Sequence, residues 1–313
     1  MNLKNEIIFL AGHNGLVGSA VLQLLKEKRF KKIHTIGKKK LDLTNYNKVA
    51  KYIKELKPKS VIICAAKVGG IKENSKYPAD FIYQNLVVQN NIIHASHLSG
   101  VKNLIFLGSS CIYPKFAKQP IKESELLNGK LEITNQSYAI AKIAGIEMCR
   151  AYNEQFKTNY KCLMPSNLYG PNDNYDLNSS HFFAAAIRKI YEAKKMNYTN
   201  VEFLGTGKPK REALFVYDLA EAIIYFLNKK VKENLINIGS GFELTIKQYV
   251  DLISKLLNYD GQVKFDDNKA MDGTPRKIVN TTLAKKYGWK AKYKFRKGLK
   301  ITINDFILKK INK

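Results

Sequence analysis

Acidic residues are scarce in this chain. Only 26 Asp plus Glu stand against 53 Lys plus Arg over 313 residues, a formal net charge of +27. The lysines are spread along the whole length, densest over 26–40 and near the C-terminus. There is no aromatic–basic interleaving of the RNA-binding kind and no zinc-finger or basic-zipper spacing, so the pattern speaks against nucleic acid as a partner. The charge is left with two uses: solvated faces, or a positive potential that draws in small polyanions. Long apolar runs are also missing, because lysines interrupt every hydrophobic stretch, and no segment is expected to span a membrane. The start, Met1-Asn2-Leu3-Lys4-Asn5-Glu6-Ile7, runs straight into an apolar segment without a secretory-signal pattern. The four cysteines (Cys64, Cys111, Cys149 and Cys162) form no C-x-x-C pair and no metal-ligand cluster. No metal site is expected, and a reduced, cytoplasmic setting fits. Internal repeats are absent, and low complexity is confined to Lys38-Lys39-Lys40.

What is present is an alternation. Apolar runs at 7–11, 32–36, 60–65, 101–107 and 160–164 read as buried parallel strands. Helical stretches near 16–28, 45–56, 79–98 and 137–157 lie between them, the third opening just after Pro78. This predicts an α/β fold: a Rossmann-type, doubly wound parallel sheet with helices on both faces. After about residue 170 the pattern loosens into a polar loop, a helix beginning near His181, a short strand at 201–204 and a loop over 205–211. Helix 217–228 and strand 235–238 are expected to return to the first sheet, and 244–313 to form a small, mostly helical region. The division expected is 1–170 plus 214–242 for the sheet domain and 171–213 plus 243–313 for a second lobe, with a ligand cleft between them.

Two motifs carry chemistry. Gly12-His13-Asn14-Gly15-Leu16-Val17-Gly18 follows the first apolar run and opens a helix, the strand–turn–helix context of a dinucleotide fingerprint. Glycines let the backbone approach a pyrophosphate, which then sits on free N–H groups at the helix N-terminus. About 120 residues later, Tyr138 and Lys142 stand four apart on one helix face, where an ammonium favours the phenolate. Tyr138 alone reads equally as a half-buried helix residue and Lys142 as a solvated charge. The strand ending in Gly108-Ser109-Ser110-Cys111 adds a serine able to hydrogen-bond the same substrate oxygen as the tyrosine. Together they read as a redox enzyme rather than a non-catalytic cofactor sensor, which has no need of the tyrosine–lysine pair. His13, His34, His94 and His97 take structural readings.

The fingerprint and the Tyr138/Lys142 pair resemble the extended short-chain dehydrogenase/reductases that act on nucleotide sugars. Longer strings narrow the resemblance to the GDP-L-fucose synthases, which are GDP-4-keto-6-deoxymannose 3,5-epimerase/4-reductases. The strings are Ala65-Ala66-Lys67-Val68-Gly69-Gly70, Tyr77-Pro78-Ala79-Asp80-Phe81-Ile82-Tyr83-Gln84-Asn85, Gly108-Ser109-Ser110-Cys111-Ile112-Tyr113-Pro114 and Pro165-Ser166-Asn167-Leu168-Tyr169-Gly170-Pro171, with Asp272-Gly273-Thr274-Pro275-Arg276 in the second lobe. Superfamily dehydratases carry an Asp-Glu pair just after the active-site Ser or Thr; here those positions are Ser110, Cys111 and Ile112.

The resemblance implies Ser109, Tyr138, Lys142, Cys111 and His181 as catalytic, with Cys111 as base and His181 as acid. Outside that context Cys111 reads as a small buried apolar residue and His181 as a helix-start residue. It implies a cofactor site of Gly12, Asn14, Gly15, Leu16, Val17, Gly18, Lys38, Ala65, Ala66, Lys67, Leu107, Gly108, Tyr138, Lys142, Pro165, Asn167, Leu168 and His181. The substrate, a GDP-4-keto sugar, would meet Ser110, Cys111, Asn167, Lys189, Leu204, Arg211 and Asp272. NADPH is the expected cofactor: the second strand is followed by Gly37-Lys38-Lys39-Lys40, with no carboxylate for ribose hydroxyls, and Asp42 comes too late. Three positions depart from the family: Asn14 and Lys189 stand where arginine is common, and Leu204 where tryptophan is. A lysine cannot reproduce a bidentate guanidinium clamp. A heptose relative that only reduces C4 is therefore the alternative. A homodimer through helices 79–98 and 137–157 is also implied.

Overall fold

The computed structural model describes residues 3–269 and 272–311. The chain opens with β1 (Ile7–Ala11), α1 (Leu16–Glu27), β2 (Lys32–His34), α2 (Tyr46–Leu56) and β3 (Ser60–Ile63). The short α3 (Ile71–Lys76), α4 (Pro78–Leu98), β4 (Asn103–Leu107), α5 (Gln136–Phe156) and β5 (Asn159–Pro165) follow. Next come β6 (Asn167–Tyr169), α6 (Phe182–Lys195), β7 (Asn200–Phe203), β8 (Lys210–Phe215), α7 (Val216–Asn228) and β9 (Leu235–Ile238). The last elements are β10 (Glu243–Thr245), α8 (Ile246–Leu257), β11 (Gln262–Phe265), β12 (Arg276–Lys277), α9 (Thr282–Lys286) and α10 (Phe295–Ile311).

The main sheet runs β2-β1-β3-β4-β5-β9, parallel throughout. Strand alternation explains its continuous apolar runs. Ile8 and Leu10 face the core under α1 and α7, with Ile62, Ile105 and Leu163, while Phe9 and Ala11 face the core under α2, α4 and α5, with Val61, Phe106 and Cys162. Both faces are therefore covered, the doubly wound arrangement. Strand order turns at β1, which has β2 on one side and β3 on the other. That switch point opens a crevice at the carboxyl ends of the strands.

A third core gathers Phe183 and Ile187 of α6, Tyr249 and Ile253 of α8, and Leu299, Ile303 and Phe306 of α10. Three details differ from the sequence reading. β2 is an edge strand with Lys32 and His34 exposed, not a buried one; polar edge residues block further strand pairing. The segment read as loop over 205–211 already enters β8, and α7 opens at Val216, one residue before the helix expected over 217–228. The segments expected to be mostly helical also carry strands: β10, β8 and β12 form one small sheet, which β6 joins through β8, and β7 pairs with β11. These strands are two to six residues long and partly exposed, so no period-2 pattern marks them. Among the described residues no helix is long and apolar enough to cross a membrane.

Candidate active site

The carboxyl ends of β1, β3, β4 and β5 bring the separate sequence strings to one edge. At β1, Gly12 holds φ +89° and a Cβ there would press on the Ala65 backbone; a Cβ on Gly18 would overlap the Gly12 carbonyl. Only glycine allows this approach of turn, helix and β3. The N-cap of α1 is Gly15, with no side chain capping it, so the amides of Leu16 and Val17 remain available to an anion. Beside the turn lies an open hollow of about 660 Å³ lined by Asn14, Thr35, Ile36, Gly37, Lys38, Lys39 and Lys40. It holds three ammonium groups and no acid. Asp42 is not among its walls, its carboxylate being occupied by the Thr44 amide and hydroxyl, which hold it below the usual range. This cradle fits a dinucleotide carrying an extra phosphate.

Ala65, Ala66 and Lys67 follow β3. The Lys67 backbone is pinned in both directions by the buried Asn85 amide (3.0 Å each), while its Nζ turns to Asp80 at 3.6 Å. Leu107 and Gly108 end β4, and Pro165, Asn167 and Leu168 end β5 and begin β6. Asn167 donates to the Glu212 carbonyl at 3.0 Å.

Just beyond β4, Ser109 accepts from the Cys111 amide at 3.3 Å and closes a single 3₁₀ turn. The turn is braced from below, where Tyr113 donates to the buried Asn237 at 2.6 Å, and Asn237 donates to the Ile121 carbonyl at 2.9 Å. α5 then presents Tyr138 to the same turn. Lys142, one turn on and buried, donates to the Leu107 carbonyl at 2.9 Å and lies 4.8 Å from the Phe106 ring centre and 5.8 Å from that of Tyr138. Burial brings its ammonium down to about 8. The expected pull of Lys142 on the phenol is not expressed here. Burial and the neighbouring Cys111 push Tyr138 well above its usual value, and a Ser109 hydrogen bond offsets part of that. The phenol is therefore a protonated acid at neutral pH.

Cys111 has two neighbours that sequence reasoning missed. Asn135 donates to its sulfur at 3.4 Å and Lys277 at 3.5 Å. Asn135, three residues before Tyr138, was legible as part of the same helix start. Lys277 ends the Asp272–Arg276 string, but nothing local signals its reach across 166 residues. His181 caps α6 without using its side chain, leaving the imidazole free. Gly70 fixes its loop by donating to the Ser179 carbonyl at 3.1 Å. The ring keeps contact with solvent but is surrounded by protein, and that enclosure, with the charge of Lys277, holds it below its usual value.

Further out, Arg211 donates to the Asp272 carbonyl at 2.9 Å, and the Asp272 carboxylate accepts from Thr206 amide and hydroxyl, both at 2.8 Å. Asp272 thus organises the loop beside Arg211. Lys189, on α6, donates to the Glu202 carbonyl of β7 at 3.0 Å, and Leu204, just after β7, is exposed.

Residues 8–239 match the model of the NAD dependent epimerase/dehydratase family. The chain belongs to that family. It is 45% identical over 305 residues to a GDP-L-fucose synthase of Sinorhizobium fredii, covering 97% of this chain and 96% of the relative. The resemblance read from the motifs thus extends over nearly the whole chain. Among solved structures, a Campylobacter jejuni GDP-6-OMe-4-keto-L-xylo-heptose reductase superposes with TM-score 0.92 at 33% identity, covering 98% and 99% of the two chains. A Naegleria fowleri GDP-L-fucose synthetase bound to NADP gives 0.88 at 27% identity, covering 98% and 95%.

Proposed function

We propose that this family member is an NADPH-dependent GDP-L-fucose synthase, epimerising C3 and C5 of GDP-4-keto-6-deoxymannose and reducing its C4 ketone. One observation carries the reading: in a chain 45% identical to such a synthase, the Tyr138 acid and the Cys111 sulfur are neighbours at one strand end, and Lys277, which donates to that sulfur, also lies close enough to His181 to act on it. A C4 ketone acidifies C3–H and C5–H, because the carbanion is an enolate with its charge on the C4 oxygen. Ser109 and Tyr138 hydrogen-bond that oxygen. Cys111 removes the proton from one face of the ring and His181 returns one to the other. Negative charge on the entering substrate counters the depression of His181, so the imidazole gains its proton as the cleft fills. NADPH, when bound, supplies the hydride for C4. Tyr138 then gives its proton to the C4 oxygen, and Lys142 would hold the ribose hydroxyls. Lys38–Lys40 would hold the 2′-phosphate, and Arg211 would meet the diphosphate of the substrate.

The residue roles and the two-lobe division stated above belong to this reading, as do a cytoplasmic setting and a homodimer. α4 and α5 lie side by side on one face of the sheet, and Tyr83 on α4 is 66% exposed. Light scattering should return twice the 35.6 kDa chain mass, and the mass of a single chain would remove the dimer.

A second reading, C4 reduction of a GDP-4-keto-heptose without epimerisation, is favoured by the heptose-reductase neighbour and by Leu204, exposed just after β7, where the family commonly has tryptophan. Turnover of GDP-4-keto-6-deoxymannose with NADPH in D₂O separates them. Fast oxidation with deuterium at C3 and C5 is expected; slow oxidation without it would favour the heptose.

A further inference from the structure

The motif Asp272-Gly273-Thr274-Pro275-Arg276-Lys277 ends in a residue to which the reaction above gives no work. Lys277 is half-buried on β12, which runs parallel to β8 and sets Lys277 in register with Arg211. Its ammonium reaches into the catalytic cluster and donates to the Cys111 sulfur at 3.5 Å. Among the described residues it takes part in no ion pair, whereas Lys51, Lys115, Lys292 and Lys309 each turn to a carboxylate. A half-buried cation directed at a sulfur rather than at a carboxylate needs an explanation, since burying it unpaired is costly.

The groups around it supply one. Tyr138 and Arg211 also face Cys111, Asn135 donates to the same sulfur from the other side, and His181 feels the Lys277 charge. Two donors, one on the α5 cap and one on β12, thus hold the sulfur beside the phenol, and the second of them also acts on the imidazole. We propose that Lys277 is a positioning residue for proton abstraction, fixing the Cys111 sulfur and serving as its counter-charge while that sulfur is the anionic base. In the step itself the thiolate takes the proton from C3 or C5 and becomes a thiol. The electron pair of the C–H bond passes to the C4 oxygen, so negative charge leaves Lys277 and arrives at Ser109 and Tyr138. Return of a proton from His181 to carbon restores the neutral ketone. Lys277 makes the first position of that charge favourable without touching the ring.

This inference rests on the epimerase reading for its substrate, so its first test needs none. Iodoacetamide alkylation of Cys111, followed by peptide mass spectrometry at neutral pH, reports the sulfur as an anion. In Lys277→Met the rate should fall about tenfold and in Lys277→Arg return most of the way, with both variants binding NADPH as the parent does. An unchanged rate in the Met variant would overturn the proposal, as would an Arg variant as slow as Met. In turnover, Lys277→Met should lose deuterium incorporation at C3 and C5 with KM for NADPH unchanged. If the parent itself fails to incorporate deuterium, the epimerase reading falls while the alkylation result still decides the role of Lys277.

Discussion

Tyr138 shows how a side chain's surroundings can reverse what its spacing suggests. Four residues from a lysine, it reads as a phenol made acidic. Folded, the lysine directs one of its donors to the Leu107 carbonyl, and burial pushes the phenol upward. A protonated phenol suits the reductive direction, in which an oxygen must receive a proton. Tyr138→Phe should therefore lower kcat by about 10²- to 10⁴-fold while leaving the dissociation constant for NADPH within about threefold, as followed by nucleotide fluorescence and absorbance at 340 nm. A kcat within tenfold of the parent would move the proton donor elsewhere. The spacing gave the residue and its partner, but their protonation depends on depth, which no local pattern records.

Elements were legible where both faces of a strand are apolar. β1, β3, β4 and β5 were placed within about three residues, since each feeds two cores at once. The strands β8, β10 and β12 were not, because they are short and half-exposed, and their partners come from distant segments. For the same reason the Cys111–Lys277 contact escaped notice while Cys111 itself did not. β5 also hides an oddity that the apolar reading passed over: Lys161 is 1% exposed and its Nζ has no hydrogen-bond partner among the described residues. Burial brings it down to about 8 from an ordinary 10.5. Between those two values the unfolded chain holds a proton that the folded chain has released, so stability rises with pH across that window. Below it, both states are charged and the folded state carries the full cost of the buried ammonium. Lys161→Met should raise stability at pH 7 by about 1–3 kcal/mol and reduce the rise towards about pH 9.5. Part of the rise should remain, because Lys142 titrates in the same window. Urea midpoints at both pH values check this, and a less stable Met variant at pH 7 would mean that Lys161 has a partner in solution.

At the scale of the whole molecule the excess of 27 positive charges admits two accounts, a solvating habit or an attraction for polyanions. Screening decides which lysines matter. At physiological ionic strength a charge acts over about 8 Å, so most of the 53 basic residues are too far from the cofactor cradle to contribute to binding there. Lys38, Lys39 and Lys40, which line the hollow beside Asn14, are close enough. The KM for NADPH should therefore rise about tenfold between roughly 20 mM and 300 mM salt, with kcat at saturation almost unchanged. Replacing the three together (Lys38→Gln, Lys39→Gln, Lys40→Gln) should remove most of that dependence while leaving a net charge far above zero. The KM for NADH, which lacks the 2′-phosphate, should hardly respond to the triple replacement. A salt slope that survives it would assign the attraction to the field of the whole protein. A KM for NADPH that ignores salt from the outset would leave the lysines as a coating for solvated faces.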